Sequence, residues 1–461
     1  MTDFEARKVE EFRGGFQGEI LLPSDGAYES ARKVWNAMID KRPAIIARCA
    51  TTSDVVRGVN FARDNRLVLA VRGGGHNIAG SALCDDGIVI DLSLMKAAHV
   101  TPDARRVTIE AGATLADLDG ATQAHGLATP VGINSTTGIA GLTLGGGFGW
   151  LSRMYGLTAD NLESVEVVTA AGEVIRANAT EHPDLFWALR GGGGNFGVVT
   201  RFEFRLHPVG PELLSGLIVY PFTDAKSVLR QYRDLALKAP DELTAWVVMR
   251  KAPPLPFLPA EIHGEEVVVL ALLYAGDPAK GEAAIEPIRK FGTPAGAHVG
   301  VQPYAAWQQA FDPLLTPGAR NYWKSHNFTT LDDGLLDVLI ESVRTLPSPH
   351  CEVFIASLGG ATSRPRPDSS AYGQREAQFA MNVHGRWDDP ADDQRCISWS
   401  RQLFKSAAPF ASGGVYINFM TADEGDRVRA AYGGNYERLA LVKQRYDPGN
   451  LFRTNQNIAP A

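Results

Sequence analysis

Short apolar runs punctuated by turn residues alternate with amphipathic stretches over the first 210 positions. Ala44–Ala47 predicts a strand, and Thr52, Ser53 and Asp54 offer N-caps for a helix carrying Val55, Val56, Val59 and Phe61 toward Asp64. Leu67–Val71 predicts the next strand and runs into Gly73–Gly75. Ile88–Leu92, Arg106–Glu110 and Val165–Thr169 predict three more, the last closed by a turn at Ala170–Gly172. Thr114 can cap a helix that reaches His125 and stops at Gly126.

The pattern shifts at Pro208–Pro211. Longer strands (Leu214–Tyr220, Val267–Tyr274, Cys351–Leu358) then alternate with helices such as Ser227–Lys238, which suits one broad antiparallel sheet flanked by helices. Pro253–Pro259 and Ser363–Ser370 predict loops. From Gly413 the chain predicts a strand, a helix over Glu437–Arg445 and a final apolar strand. The expected class is α+β, divided at 1–209, 210–410 and 411–461.

Composition narrows the function. With 45 basic against 52 acidic residues and no basic cluster, a nucleic-acid or anionic-membrane partner has no electrostatic support. The start, MTDFEARKVEEF, lacks the apolar core of a secretory signal, and the run Val267–Ala275 is far too short to span a bilayer. A cytoplasmic protein with a small-molecule ligand is the expectation. Cys49, Cys84, Cys351 and Cys396 lie far apart, so neither a metal site nor a disulfide framework is suggested.

Glycine is the unusual residue: 47 of 461, dense at Gly73–Gly80, Gly132–Gly149 and Gly191–Gly197. The last stretch contains G-x-G-x-x-G, but a helix pattern (His182–Arg190) precedes it and a strand (Val198–Phe204) follows, the reverse of a dinucleotide fingerprint. Bare amides in such loops can hold a diphosphate, because no Cβ blocks close approach. Tight turns in a β-rich domain are the bland alternative. His76 follows three glycines in VRGGGHN, so its imidazole can act as a neutral nucleophile toward whatever the loop binds.

The chain resembles the berberine-bridge-enzyme-like branch of the vanillyl-alcohol-oxidase flavoproteins. The motifs that carry the resemblance are VRGGGHN, GLTLGGGFGWLSRMYGLTADNL at 141–162, LFWALRGGGGNFGVVTRFEF at 185–204 and YERLALVKQRYDPGNLFRTNQNI at 436–458. It implies a PCMH-type FAD-binding domain of two α+β subdomains, a substrate domain whose sheet covers the flavin, and a C-terminal segment rejoining the FAD domain. It further implies FAD bonded at its 8α-methyl to His76. Arg72, Gly73, Gly74, Gly75, Asn77, Gly80 and Ser81 would line the diphosphate and ring edge. Gly132, Thr136, Thr137, Gly138, Gly141 and Gly149 would run beneath the ring, Gly197 and Val199 would hold the adenine side, and Asn455 and Asn457 would approach the ring or ribityl chain.

Two departures bear on function. Where many relatives have a second flavin-linking cysteine this chain has Asn134, so a single link is implied, as in the branch's nicotine-oxidising and polyketide-oxygenating members. Where sugar-oxidising relatives end Y-x-N-Y on a tyrosine that helps deprotonate substrate, this chain has Tyr416–Ile417–Asn418–Phe419, and a phenyl ring moves no proton. A regular strand there would put Tyr416 and Asn418 on one face and Phe419 on the other. The alternation Asn321–His326 groups Tyr322, Lys324 and His326, and Met381–Trp387 groups Asn382, His384 and Arg386; Trp246, Arg250 and Glu352 are further pocket candidates. Lys324, His384, Asn418 and Tyr416 are the expected substrate-side residues, with His384 or Lys324 as base. The resemblance also places Thr137 at the flavin edge where O2 approaches. The expected activity is a flavin oxidase or oxygenase acting on a small organic substrate with O2; the alternatives are a sugar or alcohol oxidase, a dehydrogenase with another acceptor, and a flavin-fold protein that sequesters a natural product.

Overall fold

A computed structural model describes residues 3–461, with side chains from Lys8 onward; Met1 and Thr2 of the charged leading stretch lie outside the described residues. The strand expected at Ala44–Ala47 forms at Ile45–Arg48, paired in parallel with Ile88–Asp91, which also pairs in parallel with Leu69–Arg72. Glu19–Leu21 adds an antiparallel edge to this four-stranded sheet. The central strand is apolar because both its sides are covered: Ile88, Val89 and Ile90 are fully buried. The helix Thr52–Asp64 packs Val55, Val59 and Ala62 into the same core. Its cap is Thr51, one residue before the three expected, because Thr51 and Asp54 close a reciprocal capping box.

A second, five-stranded antiparallel sheet runs in the order Ala98–Thr101, Arg106–Glu110, Val198–Arg205, Leu162–Val168, Val174–Asn178. The glycine run before Val198 connects the helix Pro183–Leu189 to that strand, the order that excludes a dinucleotide fingerprint.

The third sheet is antiparallel throughout and seven-stranded: Gly296–Pro303, Glu212–Pro221, Glu266–Tyr274, Leu243–Lys251, Glu352–Ser357, Phe379–Trp387, Arg320–Phe328. Helices Ala225–Ala236, Asp333–Val343 and Asp393–Ala407 cover one face, burying Tyr232, Leu339 and Leu403 against Ala245, Val247 and Met249. The alternate residues of those strands (Trp246, Val248, Arg250) turn toward the two smaller sheets.

The parts are clipped together by buried polar groups. Asn36 donates to the carbonyls of Ile78 (3.1 Å) and Asn321 (3.0 Å) and accepts from the Asn321 amide (3.0 Å). Helix Tyr436–Tyr446 returns to the first part, where fully buried Lys443 reaches Asp447 (2.7 Å) and the carbonyls of Asn195 (2.8 Å) and Phe452 (2.9 Å).

The tail differs from expectation. Neither of its predicted strands forms: among the described residues no strand follows Phe379–Trp387, and Ile417–Phe419 is a single 3-10 turn. The run around Tyr416 is β-prone but pairs with no strand, and the Phe419 and Met420 amides bond back to Tyr416 (3.0 Å) and Ile417 (3.2 Å) instead. Among the described residues no helix is long and apolar enough to cross a membrane.

Candidate functional site

A cavity of ≈ 380 Å³ lies between the glycine loops of the first part and the uncovered face of the seven-stranded sheet. Two loops meet in its floor. A Cβ on Gly74 would stand 2.3 Å from the Gly138 nitrogen, so the chains touch backbone to backbone and neither position admits a side chain. At Gly141 and Gly194 the reverse holds: both line the cavity, and a Cβ there would meet no protein atom within 4 Å. These bare faces leave room that a bound group can fill. Asn455 lines the same wall, donates to the Gly194 carbonyl (3.1 Å), and keeps its buried side-chain oxygen without a partner. A long cradle of glycine backbone closing on an amide side chain fits a flavin dinucleotide.

His76 stands at the rim of that cradle, stacked on Trp35 with centroids 5.2 Å apart. Thr136 donates its hydroxyl proton to the Asn134 side-chain oxygen (2.7 Å), so its lone pair accepts from His76 Nε2–H (2.8 Å). That assigns the proton to Nε2 and leaves Nδ1 with its lone pair, 3.5 Å from Thr137 Oγ1. Burial pushes the imidazole pKa down to about 4, so the ring is neutral at pH 7. A neutral, oriented imidazole with one unprotonated nitrogen is a competent nucleophile. Asn134 cannot form a thioether; it shapes the loop instead, accepting from the Thr136 amide (3.0 Å) and donating to the Leu315 carbonyl (3.3 Å). All four cysteines are buried, and none lines the cavity.

Most of the expected cradle residues reach the cavity: Gly73, Gly74, Gly75, His76, Asn77, Ser81, Gly132, Thr137, Gly138, Gly141, Gly197, Val199 and Asn455 line it. Thr136 stands behind His76. Thr136 and four others do not line it. Arg72 is drawn into a buried ion pair with Asp91 and a bond to the Ala31 carbonyl. Gly80 (φ +73°) faces Ile39, and Gly149 packs against the Val131 carbonyl, so both shape turns. Asn457 lies outside the lining, with a buried side-chain oxygen that has no partner.

The opposite wall is a cross-strand row. Register places Val267, Arg250, Glu352, His384 and Trp323 side by side on five adjacent strands, all facing the cavity. Arg250 Nη1 meets Glu352 Oε2 at 2.7 Å, and His384 Nδ1 meets Glu352 Oε1 at 3.1 Å. Burial alone would raise the Glu352 pKa, but Arg250 and His384 hold it down to about 2. Burial lowers that of His384 against the pull of Glu352. The resting site is therefore a carboxylate paired with an arginine beside a neutral imidazole. Nε2 of His384 sits 3.3 Å from the Asn321 side-chain oxygen, so a proton arriving there gains an acceptor. Asn382 lies in the next cross-strand row and has a buried oxygen without a partner.

Three substrate-side expectations change. Lys324 is on the other face of its strand, where Nζ pairs with Asp423 (2.8 Å) and Glu424 (3.3 Å). Tyr322 and His326 share that face, Tyr322 on Asp423 and His326 stacked on Phe404. The alternation was right and the face was wrong: Trp323, between them, is the residue that lines the cavity. Lys324 is thus a tether for the C-terminal segment, and Lys324→Met should cost about 1–3 kcal/mol in denaturant unfolding by taking from buried Glu424 one of its two cationic partners. Tyr416 is buried beneath the cavity, its hydroxyl accepting from the Gly147 amide (3.1 Å) and Asn418 Nδ2 (2.8 Å). The 3-10 turn swings Asn418 and Phe419 together into the lining, where a strand would have separated them. Trp35, Trp323 and Phe354 were missed as lining residues, and no local motif marks them. Among the described residues no group of three or more His, Cys, Asp or Glu is placed to hold a metal ion.

Comparison with known proteins agrees with this geometry. Residues 43–178 match the FAD binding domain family, and 415–459 match the berberine and berberine-like family. An FAD-linked oxidoreductase of Dictyostelium discoideum is 32% identical over 457 residues, covering 98% of this chain and 97% of that protein. The (R)-6-hydroxynicotine oxidase of Paenarthrobacter nicotinovorans is 30% identical over 466 residues, with 96% and 97% covered. The crystal structure of 6-hydroxy-D-nicotine oxidase from Arthrobacter nicotinovorans superposes with a TM-score of 0.87 at 28% identity, over 97% of this chain and 99% of that one. The chain belongs to the FAD-linked oxidoreductases built from an FAD-binding domain and a berberine-like C-terminal segment, and it is an FAD-dependent oxidoreductase.

Proposed function

We propose that the protein is an oxidase carrying FAD bonded to His76 alone, acting on a small organic substrate of amine or secondary-metabolite type and passing electrons to O2. The observation that carries this reading is the His76 imidazole, neutral, with Nε2–H bound by Thr136 and the Nδ1 lone pair facing only the Thr137 hydroxyl (3.5 Å) at the rim of the glycine cradle. FAD, when bound, supplies a hydride acceptor and returns the electrons to oxygen.

The remaining work falls to this chain's own side chains. Trp246, Trp323, Phe354 and Phe419 wall the substrate space and exclude water. His384 takes a proton from the substrate, and the imidazolium that forms is held by Glu352 on Nδ1 and Asn321 on Nε2. Arg250 keeps Glu352 ionised, so the negative charge that stabilises the imidazolium is present beforehand. Phe419 brings shape and no proton transfer, which disfavours simple sugar oxidation.

An anaerobic screen of cyclic amines, phenols, phenolic polyketides, alcohols and sugars tests the reading. Bleaching of the flavin by an amine or phenol is expected; bleaching by sugars alone would overturn the substrate assignment. Thr137 tests the acceptor. It lies 3.5 Å from His76 and lines the cavity, and Thr137→Ile adds bulk on the expected oxygen approach. Stopped-flow reoxidation of the reduced variant should be at least tenfold slower, about 1.4 kcal/mol of barrier. An unchanged rate would remove Thr137 from that path, and slow reoxidation of the unmutated enzyme would favour a dehydrogenase.

A further inference from the structure

Following the sheet register away from His384 changes the chemistry of the cavity wall. On one cross-strand row Trp323, His384, Glu352 and Arg250 give way to Val267; on the next, Asn382 and Phe354 give way to Val248, Val269 and Val219. All of these side chains line the same cavity. The polar end therefore occupies the strands Phe379–Trp387 and Glu352–Ser357, and the far end, on Glu266–Tyr274 and Glu212–Pro221, is wholly aliphatic. Three strand spacings separate His384 from Val269, about 14 Å at the usual interstrand distance.

The far end is also roofed. The loop after Lys251 folds back so that Ala252 accepts from Gly264 (2.9 Å) and donates to Glu265 (2.9 Å), which brings Leu255 and Leu258 over the valines. Leu258, Val219 and Val267 are buried and pack in one cluster, and each also borders the cavity. A hydroxylated ligand placed there would lose its hydrogen bonds to water and find no partner among these side chains. A hydrocarbon would lose nothing and would remove the exposed valine faces from water.

We propose that this end of the cavity is a subsite for an aliphatic arm of the substrate, so that the substrate is a planar or polar head, held at His384 and Asn382, extended by a hydrocarbon chain. The assignment rests on the reading of this cavity as the substrate site, and it is tested by binding instead of turnover so that the two stand or fall separately. The probes are 4-ethyl-, 4-butyl-, 4-hexyl- and 4-octylphenol, titrated anaerobically into the flavin-loaded protein and followed by perturbation of its visible spectrum. Affinity should rise about fourfold for each methylene that enters the subsite and then level off. Val269→Thr, nearly isosteric, should flatten the series while leaving the ethyl member's affinity unchanged. Val269→Leu, which fills the same space without adding polarity, should keep the slope and bring the plateau to a shorter chain. Affinity independent of chain length, or an identical series in all three proteins, would overturn the proposal. A graded series with no bleaching by any member would uphold the subsite and remove alkylphenols from the oxidase's substrates.

Discussion

Replacing His384 with glutamine should lower turnover by about 10²- to 10⁴-fold, the range for losing a positioned general base, while bound flavin content stays the same. Glutamine keeps the volume and can still bond Glu352, so the sheet register and the Arg250–Glu352 pair (2.7 Å) should persist. The pH profile separates a base from a packing residue. Burial lowers the His384 pKa from its ordinary value, so the imidazole is neutral through the neutral range and becomes protonated only on acidification below about pH 6.5. Turnover of the unmutated enzyme should therefore be flat above that pH and fall below it. The residual activity of His384→Gln should lack that acid limb. A glutamine variant with unchanged turnover and an unchanged profile would assign the base elsewhere.

Much of this site was legible in the chain because its floor is made of backbone. A loop that must touch another loop, as Gly74 touches Gly138, needs glycine in the sequence itself. His76, the proposed nucleophile, sits inside one such motif, and Asn134 is likewise read directly from the chain. The roof was legible only in part, because strand alternation gives two faces without saying which is covered. Helix Asp393–Ala407 packs over the face that holds Lys324 and leaves Trp323 to the cavity, a tertiary choice that no spacing in Asn321–His326 records. The segment after Gly413 failed for a related reason. Its β-prone residues lie beside the edge strand Arg320–Phe328 without pairing with it, and the tethers of Asp423 and Glu424 to Lys324 hold the segment as turns. Trp35, which stacks on His76 and bonds the Leu315 carbonyl (2.9 Å), joins positions 280 residues apart and leaves no local trace.

The second large effect concerns the cofactor link. His76→Ala should abolish acid-stable flavin completely while leaving the cradle able to hold FAD reversibly, because Gly74, Gly138, Gly141 and Asn455 do not depend on the imidazole. Thr136→Val should act in the same direction more weakly. It removes the acceptor that holds Nε2–H at 2.8 Å, so the ring loses its fixed tautomer and orientation but keeps its nucleophile. Slower flavinylation of Thr136→Val on adding FAD to apoprotein, with the same final yield, is the expected result; an unchanged rate would mean that the tautomer is set by another contact.

The most direct test of the account is made on the unmutated protein. Acid precipitation followed by proteolysis and mass spectrometry should find all of the flavin on one peptide, with the modification on His76. Free flavin in the acid supernatant, or a flavin-bearing peptide from any other residue, would contradict it.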